Sequence, residues 1–123
     1  MSKTVAIIGA SNNRAKFGNK ALRAFARNGY RVIPINPTEA EIEGHKTYAS
    51  VLDVPGAIDM ATVYVPAQEG VTVMEELARK GVGEVWLNPG ADDEAVVERA
   101  RALGLKAIEA CSIMAIGDSP ESY

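Results

Sequence analysis

Apolar residues along the chain form short runs that alternate with amphipathic stretches. The runs at residues 4–8, 31–35, 60–65, 85–87 and 106–110 are rich in β-branched residues, which is typical of buried strands. Residues 18–28 and 68–80 carry apolar side chains at helical spacing, and a third helical stretch opens at Asp92 and ends at Gly104. Residues 38–55 show no clear period, apart from one candidate helical turn at 50–53.

This alternation predicts an α/β fold, a Rossmann-like doubly wound parallel sheet of about five strands. We expect the strand order 3-2-1-4-5, in which ligands bind at the carboxyl ends of the first and fourth strands. Three turns, at 9–14, 65–67 and 88–90, then converge on one crevice. We treat residues 1–123 as a single domain whose end, 118–123, is a loose tail.

The first of these turns has the composition of an anion-binding loop. Gly9 tolerates a positive φ, Ser11 and Asn12 offer hydrogen-bond donors, and a helix follows. Arg14 and Lys16 lie in the loop, and no acidic residue occurs between Met1 and Thr38. Because a helix N-terminus is already partly positive, this basic cluster repels itself unless a polyanion is bound. The alternative is a solvated basic face.

The same loop departs from the dinucleotide fingerprint G-x-G-x-x-G. Ser11 and Arg14 stand where the second and third glycines belong, and Asn36 stands where an acidic residue would bind the ribose. A plain NAD site is therefore disfavoured.

Composition excludes several other classes of function. A net charge of −3 gives no general basic field for nucleic acid, and no apolar run is long enough to be a signal peptide or a membrane span, so we expect a cytoplasmic protein. The single Cys111 excludes an internal disulfide, and the single His45 lacks further ligands at metal-binding spacing. No stripe of residues identifies an interface, so a protein partner or a homodimer stays open.

Five short motifs, in this order and spacing, resemble the family of small single-domain CoA-binding proteins. They are IGAS at 8–11, VIPINP at 32–37, YASV at 48–51 followed by VP at 54–55, VPA at 65–67 and VWLNPG at 85–90. This family is similar to the N-terminal CoA-binding domain of the succinate–CoA ligase alpha subunit.

The resemblance implies that CoA lies across the carboxyl ends of the strands. The residues that would contact it are Gly9, Ala10, Ser11 and Asn12 at the pyrophosphate; Arg14 and Lys16 at phosphates, including the ribose 3′-phosphate; Asn36 and Pro37 near the nucleotide end; Tyr64, Val65 and Pro66 beside the adenine or ribose; and Asn88 and Gly90 toward the pantetheine arm.

The sequence contains no Ser-His-Asp set, carboxylate pair or metal cluster beside the loop. We therefore expect a non-catalytic carrier, sensor or partner module for CoA or acyl-CoA. The alternative is an NADP-binding oxidoreductase or redox sensor, which the basic loop favours and the missing second glycine opposes. A narrower hypothesis is that Cys111 forms a mixed disulfide with the CoA thiol. The alternative interpretation is that Cys111 is a buried structural cysteine.

Overall fold

The computed structural model describes residues 3–123 and contains a five-stranded parallel sheet. In chain order the elements are β1 (Thr4–Ile8), α1 (Phe17–Arg27), β2 (Arg31–Ile35), β3 (Glu41–Ile42), β4 (His45–Lys46), a 3-10 turn (Val51–Asp53), β5 (Met60–Val63), α2 (Ala67–Lys80), β6 (Glu84–Leu87), α3 (Glu94–Ala102), β7 (Lys106–Glu109), α4 (Ser112–Ala115) and a second 3-10 turn (Pro120–Ser122).

Helices cover both faces of this sheet. Val5 and Ile7 of β1 belong to the apolar cluster that contains Phe25 of α1, whereas Ala6 and Ile8 belong to the cluster formed with α2 and α3. Successive residues of a strand face opposite sides, so a strand covered on both sides is apolar throughout. The predicted Rossmann-like α/β class is confirmed.

The strand order is β2-β1-β5-β6-β7, so the predicted order 3-2-1-4-5 is wrong. The third strand of the parallel sheet, β5, pairs with β1 and not with β2. Pro34 explains why β2 is an edge strand. Its carbonyl faces away from β1 and accepts a hydrogen bond from the Tyr48 N–H at 3.1 Å. Proline has no N–H to offer a further strand on that side.

The corrected order moves the topological switch point to the gap between β1 and β5. The chain leaves β1 in one direction to form β2 and then returns to the other side of β1 to form β5. Ligands of doubly wound folds bind at such a switch point, outside the carboxyl ends of the strands. The loops after β1 and β5 therefore lie side by side.

The segment expected to be irregular contains a small antiparallel hairpin, in which Ile42 of β3 pairs with His45 of β4. Ile42 is fully buried in the cluster of α1, which anchors the hairpin on that helix. The predicted helical turn at 50–53 is confirmed as the first 3-10 turn, where the Ser50 hydroxyl accepts a hydrogen bond from the Leu52 N–H at 3.1 Å.

The C-terminal residues pack against α1, in contrast to the loose tail expected from the sequence. The Tyr123 hydroxyl donates to the Asp118 carboxylate at 2.6 Å, and the Arg23 guanidinium lies 5.4 Å from the centre of the Tyr123 ring. Asn28 at the end of α1 also donates to Asp118 at 2.9 Å. These contacts join the end of the chain to the helix that follows the first loop.

Candidate functional site

A crevice of about 560 Å³ opens at the carboxyl ends of β1 and β5. The loops after β1, β5 and β6 form its walls together with the end of β2 and the start of α1. Its lining consists of Gly9, Ala10, Ser11, Lys16, Phe17, Gly18, Asn36, Pro37, Tyr64, Val65, Pro66, Glu69, Pro89, Gly90 and Ala91. The structure thus brings together all of the predicted site residues except Asn12, Arg14 and Asn88.

The β1–α1 loop leaves a run of backbone N–H groups without partners. The Gly9 N–H donates to the Ile35 carbonyl at 3.2 Å, and the Asn36 amide donates to the Ala10 carbonyl at 2.9 Å, so the end of β2 holds the start of the loop. Within residues 3–123, the N–H groups of Ala10, Ser11 and Asn12 make no hydrogen bond. Successive unpaired amides, of which those of Ala10 and Ser11 belong to residues that line the crevice, are suited to an oxyanion.

Two helices begin at this crevice without side-chain caps. The N-cap residue of α1 is Lys16 and that of α2 is Pro66, and neither accepts a hydrogen bond through its side chain. By contrast, Asp93 caps α3 by accepting from the Ala95 N–H at 3.0 Å. Uncapped N-termini carry partial positive charge and free N–H groups. α1 has no acidic residue in its first turn and therefore favours a negatively charged group in the crevice, whereas Glu69 already places a negative charge in the first turn of α2.

Two glycines allow the loop to lie this close to its neighbours. A Cβ on Gly18 would be 2.1 Å from the Gly9 carbonyl oxygen, and a Cβ on Gly9 would be 3.0 Å from the Tyr64 carbonyl oxygen. Gly9 also has a φ of 88°, which favours glycine. Gly18 thus supplies the close packing between helix and loop that the third glycine of the fingerprint provides in dinucleotide-binding folds.

Asn12 and Arg14 face the β3–β4 hairpin and not the crevice. The Asn12 amide donates to the Glu39 carboxylate at 2.9 Å, and the Arg14 Nε lies 3.4 Å from the Glu43 carboxylate. Glu43 therefore supplies Arg14 with an opposite charge from within the chain. Sequence separation hid this pairing, since Glu43 lies 29 residues beyond Arg14.

Asn88, expected to lie toward a pantetheine arm, is buried beneath the crevice. Its amide nitrogen donates to the Thr62 hydroxyl at 2.6 Å and to the Val63 carbonyl at 3.0 Å. Its amide oxygen accepts from the Ser112 N–H at 2.9 Å, which satisfies the first N–H of α4. The side chain therefore ties β5, β6 and α4 together.

Tyr64 is the half-buried aromatic residue of the crevice wall. Its hydroxyl lies 3.2 Å from the Ser112 hydroxyl, which is itself 2.7 Å from the Thr62 hydroxyl. Burial raises the pKa of the Tyr64 phenol above its ordinary value, in opposition to the hydrogen bonds with Ser112 and Thr62. The phenol is therefore neutral at physiological pH.

A smaller cleft of about 220 Å³ continues the crevice between α2 and the segment after β2. The two cavities share Gly9, Pro37, Val65 and Glu69. The cleft adds Ile8, Ile35 and Val73 to the apolar part of the wall. An elongated ligand with a flat apolar end fits this combination of a polar crevice and an apolar cleft.

Four residues line the crevice that the sequence did not single out: Phe17, Gly18, Glu69 and Ala91. Ala91 directly follows the predicted turn at 88–90, and Glu69 lies in the first turn of α2. A glycine directly after a basic loop was the available signal for Gly18. The sequence gives no such signal for Phe17, because a phenylalanine at the start of a helix does not by itself indicate a binding site.

Two other chemically reactive side chains lie outside the lining of the crevice. His45 is in β4 and Cys111 precedes α4, and neither belongs to the crevice lining. Over residues 3–123 no group of His, Cys, Asp or Glu side chains is arranged to hold a metal ion. None of the helices in that range combines the length and apolar character needed to cross a membrane.

Comparison with known proteins identifies the family. A model of the CoA binding domain matches residues 3–117, nearly the whole chain. The chain belongs to the CoA-binding domain family. It is 43% identical over 89 residues to an ADP-forming acetate–CoA ligase of Methanocaldococcus jannaschii, a match that covers 72% of this chain and 13% of the ligase.

Solved structures similar to this chain include a short protein, matched over nearly its whole length, and a much longer synthetase. A conserved hypothetical protein of Pyrococcus furiosus has a TM-score of 0.82 and 31% identity, with 94% of this chain and 99% of that one covered. The dinucleotide-forming acetyl-coenzyme A synthetase 1 of Ca. Korarchaeum cryptofilum has a TM-score of 0.76 and 30% identity, with 88% and 26% covered. The chain spans only 13% to 26% of the ligases that head its curated relatives.

The crevice of this CoA-binding domain suits the chemistry of CoA. The unpaired amides of Ala10, Ser11 and Asn12 and the ammonium group of Lys16 can donate hydrogen bonds to the oxygens of a pyrophosphate. The adjoining apolar cleft has room for a flat base, and Gly90 and Pro89 border the opposite wall.

Proposed function

We propose that this protein binds CoA or acyl-CoA in the crevice and acts as a carrier, sensor or partner module. The observation that carries the proposal is the meeting of the loop amides of Ala10, Ser11 and Asn12 with two uncapped helix N-termini at one crevice. The family match supports CoA as the ligand. Together they favour a phosphorylated ligand of the CoA type.

In this arrangement the pyrophosphate lies on the loop amides, close to Lys16. The adenosine end extends past Asn36 and Pro37 into the apolar cleft, because the nucleotide of a doubly wound fold lies beyond the second strand of the sheet. The pantetheine arm then leaves between Tyr64 and Gly90. The carboxamide oxygen of Asn36 already accepts a hydrogen bond from the Thr38 N–H at 2.9 Å. A ligand that binds this oxygen therefore competes with Thr38.

The crevice lining supports binding without chemistry by this chain. Its titratable side chains, within the described residues, are Lys16, Tyr64 and Glu69. No nucleophile stands beside a general base in that set, and the raised pKa of Tyr64 keeps its phenol protonated. We therefore do not extend the ligase reaction of the longer relatives to this protein.

Calorimetric titration with CoA, NADP and NAD tests the proposal, after unfolding and refolding to remove any carried ligand. We expect micromolar or tighter binding of CoA. Lys16→Ala should weaken it by about tenfold, as expected for one lost charged hydrogen bond. Lys3→Ala is the matched control, because it removes the same charge at the opposite end of β1, and it should leave the affinity within about twofold.

Preference for NADP over CoA would contradict the proposed ligand. It would favour a hydride-transfer function, which the family match does not support. Turnover of acetyl-CoA that disappears in Lys16→Ala would contradict the absence of chemistry. Equal weakening by Lys16→Ala and Lys3→Ala would contradict the proposed location.

A further inference from the structure

The tip of the β3–β4 hairpin holds a residue that its backbone conformation disfavours. Glu43 has a φ of 49°, the one positive φ of a non-glycine residue between residues 3 and 123. Because Ile42 pairs with His45, Glu43 and Gly44 form a two-residue turn in which both φ values are positive. Such a turn favours Asn-Gly, and glutamate is a poor choice at its first position. The strain marks Glu43 as a residue with a role outside the turn.

The Glu43 carboxylate reaches the back of the β1–α1 loop. It accepts a hydrogen bond from the Asn19 amide at 3.1 Å and lies 3.4 Å from Arg14 Nε, and its side chain is only 25% exposed. Asn19 is completely buried, and its amide also donates to the Ser11 carbonyl at 2.8 Å. Arg23 completes the network by donating to the Asn19 oxygen at 2.6 Å and to the Arg14 carbonyl at 3.0 Å.

We infer that Glu43 is a positioning residue for the ligand-binding loop, an inference that rests on the proposed function. Through Asn19 and Arg14 it fixes the outer face of the loop, so that the amides of Ala10, Ser11 and Asn12 stay toward the crevice. Ser11 is the direct link, because its carbonyl is bound by Asn19 on the outer side while its own N–H stays unpaired. Glu43 itself does not line the crevice.

Positioning and simple electrostatics predict opposite effects of removing this carboxylate. A negative charge near an anion-binding loop repels a phosphorylated ligand, so its loss would tighten binding if charge were its only contribution. If Glu43 orders the loop, its loss weakens binding because the ligand must then pay the ordering entropy of the loop. The hairpin itself stays anchored in either case by the fully buried Ile42.

Glu43→Asn separates the two effects, because asparagine suits the turn but is too short to reach Asn19 and Arg14. We expect the dissociation constant for CoA to rise about five- to tenfold, in keeping with one charge-assisted hydrogen bond. Relief of the turn and loss of the hydrogen bond from the buried Asn19 amide act in opposite directions on stability, so the thermal midpoint should change little. The NMR order parameters of the backbone amides of residues 10–12 should fall. Glu43→Gln retains an acceptor for Asn19 and should lose less affinity. Glu98→Gln, an exposed charge on α3, should change none of these readouts.

Unchanged or tighter CoA binding by Glu43→Asn would overturn the inference. So would a loss of affinity that accompanies a fall in the thermal midpoint, since that pattern indicates a merely structural role. If the wild-type protein fails to bind CoA, the proposed function fails, and the NMR order parameters of the loop backbone then decide the inference by themselves. Lower order parameters for residues 10–12 in Glu43→Asn support the positioning role, and unchanged order parameters refute it.

Discussion

Replacing Asn88 by alanine tests whether this buried amide stabilises the fold around the crevice. The side chain donates to Thr62 and Val63 and accepts from the Ser112 N–H, and its residue is 1% exposed. Alanine removes these three hydrogen bonds at once, together with the longer one from the amide to the Trp86 carbonyl at 3.4 Å. Thr62 keeps its contact with the Ser112 hydroxyl, but the buried Ser112 N–H is left without an acceptor.

The expected loss is about 3 kcal/mol. Two of the hydrogen bonds have partners that can re-form other contacts, and each contributes about 0.5 kcal/mol, at the low end of the usual net value. The stranded Ser112 N–H adds about 2 kcal/mol, the middle of the range for a buried unsatisfied donor. In a domain of this size each kcal/mol lowers the thermal midpoint by about 4 °C, so the midpoint should fall by about 12 °C.

Urea denaturation followed by fluorescence of Trp86 measures this change directly, because Trp86 lies in β6, the strand that Asn88 follows. Asn88→Asp is the informative companion. It keeps an acceptor for Ser112 but lacks the donor for Thr62 and Val63 and buries a charge, so it should be at least as destabilising near neutral pH. A loss below about 1 kcal/mol in Asn88→Ala would refute the structural role of the amide.

Three further substitutions test other parts of the account. Gly18→Ala forces its Cβ against the Gly9 carbonyl and should cost about 3 kcal/mol of unfolding free energy in urea titrations, and an unchanged midpoint would show that the loop yields freely. Ile42→Ala should cost about 3 kcal/mol by the same measurement, and a negligible loss would mean that the hairpin is not anchored there. Burial raises the pKa of Tyr64 above 10.0, so the folded state keeps a proton that the unfolded state releases. The stabilisation from this raised pKa is complete below pH 10.0 and is lost as pH rises through the pKa of the folded state. The melting temperature of Tyr64→Phe should therefore fall less above pH 10.0 than the melting temperature of the wild type. An identical alkaline decline would contradict that assignment.

The elements of the fold could be predicted because their patterns are local. The buried run of β1 and the helical spacing before Gly81 and Gly104 both depend on neighbouring residues. Strand order is not local, but the sequence held one usable signal. Pro34 lacks an N–H, which argues against a central position for β2, and the predicted order 3-2-1-4-5 placed that strand in the interior of the sheet.

The crevice could be predicted more readily than the direction of each side chain. Turns after parallel strands meet at one edge of the sheet whichever way the strands are ordered, so Gly9, Pro66 and Gly90 come together in either topology. The orientations of Asn12 and Arg14 depend on the hairpin, whose two-residue strands are too short to show a period. The burial of Asn88 depends on its contact with α4, which follows β7 in the chain. No local sequence pattern reveals that contact.

The contacts between CoA and the loop amides are the central claim, and amide chemical-shift mapping on isotope-labelled protein tests them most directly. During titration with CoA, the largest shifts should fall on Ala10, Ser11 and Asn12 and on the first amides of α2, with smaller shifts toward Gly90. The amides of α3 should stay unmoved. Shifts concentrated away from the β1–α1 loop, or no shifts at saturating CoA, would contradict the account.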